Sequence, residues 1–325
     1  MKKVRLGLVG AGWVSRQHLA VINAIDWIEA AGITSRTKAK AEQLTKEYSI
    51  PACYDNIKTL VERAKPDALM LLVSEDQMFR VAQEAMKYRL PLFLEKPAGL
   101  LPAENYKLLK TADKYSLKNM VGYNRRYYSI FHKGIKIIKD HGPLLGVSIE
   151  GHERMWRVRE LAKFSQYVLD NWIFANSTHT IDLLRFFAGE PGKIKHITHR
   201  YIEKRGDQIA AIMETESGAI GQYSAHWYSP GGWRVVLYGD GVSVEFKPLE
   251  KGFWTDKNFH TREILPDEVD IKFKPGFYGQ LKAFGNLVLK GKREWPGQDL
   301  EGSYKTMLLA KKLSLGGLTD RTVRI

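Results

Sequence analysis

Three sets of residues have the types and spacing that chemistry requires. The first is Gly10-Ala11-Gly12-Trp13-Val14-Ser15, directly after the loosely alternating run 3–9. Glycines at this spacing permit a tight turn and a close approach of backbone to a pyrophosphate, and a small third residue, here Ser15, lets the following helix pack on its sheet. A helix beginning there presents open N–H groups and a positive dipole end to an anion. Between a strand and a helix, the pattern predicts a dinucleotide held by Gly10, Gly12, Trp13 and Val14. The second set lies about 20 residues on, where NAD-binding folds place an acid for the ribose hydroxyls. Here the chain reads Ser35-Arg36, with Lys38 and Lys40 close behind. A hydroxyl and a guanidinium suit a 2′-phosphate that a carboxylate would repel. NADP is therefore the expected cofactor, with NAD the alternative; stacking of Arg36 on an adenine would serve either. The third set supplies candidates for moving protons: Lys96 in Glu95-Lys96-Pro97, and His179 with Asp182. Pro97 restricts Lys96 to extended backbone, and a lysine at the carboxyl end of a strand can polarise a carbonyl or stabilise an alkoxide. By itself the triplet reads first as an exposed turn. The i,i+3 spacing puts His179 and Asp182 on one helix face, where the acid could orient the imidazole, although a lone histidine is more often structural.

Around these sets stand residues that suit a polar ligand. Tyr123, Asn124 and Arg125 directly follow the last strand of the first half, where the chain should line a cleft. Arg154, Trp156, Arg157 and Arg159 lie in a long irregular segment, 153–172. Tryptophan offers an apolar platform and arginine an anion clamp; a solvated loop is an equal reading. Asn176 or Ser177 can cap the helix that carries His179. His196 and His199 on one strand point to opposite faces, a poor metal site, and no other metal constellation stands out. The single cysteine, Cys53, excludes an internal disulfide and fits a reducing cytoplasm.

The elements that must position these residues fall into two rhythms. To Gly122, short strands alternate with helices: strands at 3–9, 28–34, 68–73, 90–94 and 118–122, helices near 14–25, 37–48, 56–64, 78–88 and 103–115. This alternation predicts an α/β domain, a doubly wound parallel Rossmann sheet over 1–122. From 123 to 325 the pattern changes to a helix at 129–139, another at 178–187, and strand-like runs at 144–152, 193–203, 208–214, 219–228, 233–239 and 242–247. Helices at 276–289 and 298–314 follow. The expected second domain is α+β with a large open, mostly antiparallel sheet. A chain of 325 residues with 44% hydrophobic and 26% charged residues is long enough for two such cores. It lacks the ~18-residue apolar run that a spanning helix needs, so no membrane is expected. The formal charge is +14, but it is spread, with 19 basic against 13 acidic residues to Gly122 and 31 against 23 beyond. No nucleic-acid signature accompanies it.

Taken in order, these motifs resemble the glucose–fructose oxidoreductase / inositol dehydrogenase / rhizopine-catabolism (Gfo/Idh/MocA) family of NAD(P)-dependent oxidoreductases, over nearly the whole chain. The resemblance rests on Gly10-Ala11-Gly12 with His18 in the next helix, Glu95-Lys96-Pro97, Gly122-Tyr123-Asn124-Arg125-Arg126, Gly142-Pro143-Leu144-Leu145-Gly146, and His179-Thr180-Ile181-Asp182-Leu183-Leu184 before Gly189-Glu190-Pro191. It implies a catalytic Lys96, a proton carrier at His179 and a sugar-like substrate. It also implies further cofactor contacts from Val73, Ser74, Glu95, Lys96 and Asn124, and substrate or supporting roles for Asp182, Asn176, Tyr123, Arg125, Arg154, Trp156 and Arg157. Two departures stand out. Ala175 occupies the position where the family often has an acid four residues before the histidine, and Ser74-Glu75-Asp76-Gln77-Met78-Phe79 lacks the family's proline and histidine after the third strand.

The function expected is hydride transfer between NADP and a hydroxyl or keto carbon of a sugar, inositol or derivative, including anionic ones. An NAD-dependent glycosidase with transient oxidation is one alternative; net loss of a leaving group without cofactor reduction would mark it. A non-catalytic cofactor-binding regulator on the same fold is another, against which Lys96 and His179 argue. Lys96 and His179 are expected to meet on one substrate oxygen. A homodimer or homotetramer is expected through the open sheet, whose strands carry Tyr223, Trp227, Tyr228, Trp233 and Tyr238.

Overall fold

The computed structural model describes residues 3–315. Six parallel strands, β1 (Val4–Val9), β2 (Ile28–Thr34), β3 (Cys53–Tyr54), β4 (Ala68–Leu71), β5 (Leu92–Leu94) and β6 (Asn119–Val121), form one sheet in the order β3-β2-β1-β4-β5-β6. This is the doubly wound order, and its direction reverses between β1 and β4. The strands are apolar on both faces: all four residues of β4 and all three of β5 are buried. A two-sided sheet of this kind must be covered by helices on each face. One cover joins Leu6, Leu8, Leu19 and Phe93 in a hydrophobic cluster; the other joins Val9, Leu69, Leu94 and Leu108.

The first compact unit does not end at Gly122. It runs to Tyr127 and takes in Glu268–Lys305 as well. The helix Phe277–Lys290, expected within a contiguous second domain over 123–325, belongs to the first core. Its Phe277, Leu281, Phe284 and Leu287 recur at helical spacing and join the cluster with Leu6 and Phe93. Gly285 on the same helix leaves space that a Cβ would take from the Trp27 ring, at 2.5 Å.

The second unit, Tyr128–Asp267 with the described residues 306–315, is built on eight strands. These are β7 (Leu144–Gly151), β8 (Pro191–His199), β9 (Gln208–Thr215), β10 (Ile220–His226), β11 (Trp233–Gly239), β12 (Val242–Phe246), β13 (Gly252–Asp256) and β14 (Thr261–Ile264), in the order β14-β13-β12-β11-β7-β10-β9-β8. All pairs are antiparallel except β10 with β7. The sequence reading had no β13 or β14, which carry little alternation. The segment 153–172 is helical in three short pieces that reach to residue 175, Met155–Glu160, Gln166–Leu169 and Trp172–Ala175. It is tied down by ion pairs of Arg159 with Glu203 and Lys204 with Asp170.

Strict alternation in β9 and β10 sends Ile209, Ala211, Met213, Tyr223 and Ala225 to the covered face. Tyr223 bonds Thr180 of the covering helix Thr178–Ala188 at 3.2 Å. Tyr223 and Trp227, expected on the open face, are thus core residues at 2% and 1% exposure. The open face instead carries Ile197, Ile212, Ile220 and Tyr238.

Candidate active site

In the first unit, the carboxyl ends of β1, β2 and β4 open on a cleft of about 460 Å³ at the point where the strand order reverses. Its floor is Gly10-Ala11-Gly12. Gly10 has φ +117°, and a Cβ there would lie 2.3 Å from the Leu72 carbonyl oxygen, so only glycine fits. Gly12 stands before the helix Trp13–Ile22, with nothing within 4 Å of its missing Cβ. No side chain caps that helix and no acid lies in its first turn. Its leading N–H groups therefore face open space suited to phosphate. Ser15, in place of a third glycine, is fully buried and donates from Oγ to the Gly10 carbonyl at 3.0 Å, bracing the turn.

Ser35, Arg36 and Lys40 line the same cleft with Val73 and Ser74. The Ser35 hydroxyl oxygen accepts from the Thr37 N–H at 3.3 Å, closing the turn after β2. Sequence reasoning missed Gln77 and Arg80, which lie one helical turn apart on Glu75–Ala85 and add a third cation to the wall. Their i,i+3 spacing after Ser74 was the signal available. Asp55 also lines the cleft but is paired with Lys38 at 2.8 Å. Burial works against ionisation of Asp76, but hydrogen bonds from Ser74 and Gln77, with the nearby Arg36 guanidinium, hold its carboxyl below the usual carboxylate range.

Several other expected cofactor residues lie outside this cleft's lining. Trp13 is 62% exposed, with the Lys274 ammonium 4.3 Å from its ring centre. Glu95 is buried: its Oε1 is 2.8 Å from His18 Nε2, and its Oε2 accepts from the Lys96 N–H at 3.3 Å. His18 is enclosed by the Phe93 and Phe277 rings. The Glu95-Lys96-Pro97 triplet is thus anchored inside the core, not on an exposed turn, and Lys96 is half-buried directly beyond β5. Tyr123, expected to line a cleft, sits in the core at 1% exposure because it packs with Val121 and Leu300. Asn124 is also buried; its amide donates to the Pro275 carbonyl and accepts from Arg125.

In the second unit, a cleft of about 520 Å³ is lined by His152, Glu153, Arg154, Asn176, Trp233 and Lys247, among others. Arg154 holds a left-handed backbone at φ 52°, a conformation that costs a non-glycine residue about 1 kcal/mol or more. Trp156 and Arg157 lie outside the cleft lining, on the short helix Met155–Glu160, and the cleft's indole is Trp233. Arg159 is not an anion clamp: it is held by Glu203 and Tyr228. His179 is 5% exposed and is not one of the cleft's lining residues; its ring centre lies 5.9 Å from that of Trp233, which is. Asp182, expected to orient the imidazole, accepts from Thr306 at 2.8 Å and lies 3.6 Å from the Arg185 guanidinium.

Sequence reasoning passed over Glu153. It is 7% exposed, and its carboxylate accepts from Trp172 Nε1 at 3.0 Å, Asn176 Nδ2 at 2.7 Å and Ser177 Oγ at 2.6 Å. Burial, with the Glu153 charge adding to it, pushes the neighbouring Tyr223 phenol above its ordinary range. Among the described residues, no group of three or more His, Cys, Asp or Glu could hold a metal ion, and no helix is long and apolar enough to cross a membrane.

Comparison with known proteins adds a lineage to this geometry. Residues 4–123 match the model of an oxidoreductase family with an NAD-binding Rossmann fold, and residues 151–245 match the GFO/IDH/MocA C-terminal domain. An inositol 2-dehydrogenase of Rhizobium meliloti is 25% identical over 303 residues, covering 89% of each chain. The solved UDP-N-acetylglucosamine 3-dehydrogenase GnnA of Acidithiobacillus ferrooxidans aligns with a TM-score of 0.75 over 97% of both chains at 17% identity. A levoglucosan dehydrogenase in complex with NADH and L-sorbose aligns with a TM-score of 0.80 over 96% of both at 13% identity.

Proposed function

The chain belongs to the Gfo/Idh/MocA family of NAD(P)-binding oxidoreductases, and from that premise we propose that it is an NADP-dependent dehydrogenase or reductase of a sugar, inositol or related polyol. The observation that carries this reading is the glycine-floored cleft at the switch point, whose walls bring Ser35, Arg36, Lys40 and Arg80 to one opening. The open Gly12 N-terminus suits a pyrophosphate, and the three cations suit a 2′-phosphate. The absence of an acid after β2 removes the partner that ribose hydroxyls take in NAD sites. When bound, the nicotinamide supplies or accepts the hydride.

The proposed chemistry of the chain's own groups is as follows. Lys96, fixed through its backbone by the Glu95–His18 pair, stabilises developing negative charge on the substrate oxygen. His179 exchanges a proton with the substrate. Asn176, Trp233 and Arg154 line the polyol cleft, which offers an indole face for the ring and polar groups for hydroxyls. Relatives named for inositol, UDP-N-acetylglucosamine and levoglucosan support a polyhydroxylated ring as substrate. The test is a screen of the purified protein with NADP and NAD against sugars, inositols, uronates and sugar phosphates, followed by reduced-nicotinamide absorbance. Turnover faster with NADP and confined to polyols supports the reading; no turnover with either cofactor across the panel refutes it.

A further inference from the structure

We propose that Glu153 is the positioning residue of the polyol cleft: its carboxylate fixes the Asn176 amide so that the Oδ1 acceptor is the group presented to a ligand hydroxyl. The proposal rests on the reading of this cleft as a polyol site.

Glu153 lies two residues beyond β7 and is almost wholly buried. A buried carboxylate costs several kcal/mol unless hydrogen bonds replace its water. Here three side-chain donors do so, and they converge from one stretch of chain. Trp172 opens the short helix Trp172–Ala175, and Asn176 and Ser177 immediately precede the helix Thr178–Ala188 that carries His179. One glutamate thereby clamps the junction of two helices from outside. The junction's own sequence has Ala175 and no acid among residues 172–179.

An asparagine amide is a donor at one end and an acceptor at the other, and nothing in its shape decides which end faces a ligand. The Glu153 carboxylate can only accept, so it binds Nδ2 and fixes the sense of the amide. Both residues line the cleft. The consequence is chemical: Asn176 accepts a hydrogen bond from a ligand hydroxyl, and it does so only while Glu153 holds the other end.

The experiment is calorimetric titration of the NADP-loaded protein with myo-inositol and with D-glucose, on the unmodified chain and on E153Q, N176A, their double variant and E153D. E153Q should weaken polyol binding about tenfold, the value of one well-placed hydrogen bond. N176A should lose about as much, and the double variant no more than N176A, since Glu153 acts through Asn176. E153D keeps a carboxylate at the junction but withdraws it by one methylene from the Asn176 amide. It should lose affinity like N176A, and it carries the test if E153Q does not fold. NADP affinity should stay within about twofold throughout.

Additive losses from E153Q and N176A, or an E153D protein that binds polyols as well as the unmodified chain, would overturn the proposal while leaving any measured turnover in place. Polyol binding with the non-additive pattern but no hydride transfer would uphold the proposal and refute the oxidoreductase reading. No binding of either polyol overturns the proposal and leaves the oxidoreductase reading to the turnover screen of the wider panel.

Discussion

Arg36 is where the cofactor preference can be tested most directly. It lines the cleft just after β2 with Ser35 and Lys40, and Arg80 stands on the opposing helix. A guanidinium bonded to a 2′-phosphate is a charge-assisted contact, on the order of 1.5–3 kcal/mol. That corresponds to roughly 10- to 100-fold in Kd. The structure favours the lower end. Arg36 lies close enough to Asp76 to help hold that carboxyl ionised, so part of its field is already engaged. R36A should therefore weaken NADPH about tenfold and leave NADH nearly unchanged. D76N should tighten NADPH severalfold by releasing the guanidinium, and S35D should reverse the preference by placing a carboxylate against the phosphate. Fluorescence titration of both reduced cofactors at fixed ionic strength reads these constants, because the effect is screened by salt. If R36A weakens NADPH and NADH equally, Arg36 serves the adenine and the argument from the 2′-phosphate fails. Equal affinities in the unmodified protein would refute it outright.

Three further outcomes follow from the structure. K96A and H179A should each lower turnover by ~10²–10⁴-fold, the scale of general acid–base and oxyanion contributions, with NADPH affinity retained; a loss under tenfold in stopped-flow single turnover would remove that residue from the chemistry. The open sheet face, with Ile197, Ile212 and Ile220 about half exposed, is the expected oligomer contact, so light scattering should show a dimer or tetramer that I212D/I220D dissociates; a monomeric unmodified protein at micromolar concentration would contradict this. Burial, reinforced by the His226 and Lys247 charges and opposed by Glu150, lowers the His152 imidazole from its ordinary 6.5. The unfolded chain then takes up that proton first, so stability is full above about pH 6.5 and falls as pH drops toward the folded value. The thermal midpoint should decline between pH 7.5 and 5.5, and H152Q should flatten that decline; an unchanged slope would dismiss His152 as its source.

The parallel sheet was legible because its signal is local. Apolar strands such as Ala68–Leu71 punctuated by helices at regular intervals admit few other arrangements. The glycine floor was legible for the same reason, since strand, turn and helix succeed one another within residues 4–22. What escaped depends on residues far apart in sequence. The return of Phe277–Lys290 to the first core becomes visible only when its apolar stripe is matched to Leu6 and Phe93. The burial of Tyr223 and Trp227 depends on which sheet face the helix Thr178–Ala188 covers, and alternation alone leaves both faces possible. Arg159 reads as a free clamp until Glu203 is seen beside it, 44 residues on.

Glu153 is the sharpest case, because its sequence surroundings point the wrong way. It stands among His152, Arg154, Arg157 and Arg159, where a carboxylate reads as one more member of a solvated charge cluster. Three of its partners are 19, 23 and 24 residues away, and these three are neutral donors. A helix pattern inspected by itself finds Ala175 where an acid is expected and concludes that the site is missing a group. Geometry does not require the acid to come from that helix. It requires a carboxylate at the start of the helix carrying His179, where the dipole favours negative charge and where Ser177 and Asn176 have donors to satisfy. The end of β7 reaches the same place. The two clefts then follow one logic: each contains a carboxylate already engaged by the protein, Asp55 by Lys38 in one and Glu153 by its three donors in the other. That engagement withdraws one carboxylate from each opening, and leaves Arg36, Lys40 and Arg80 beside Glu84 in the first cleft and an oriented Asn176 amide in the second.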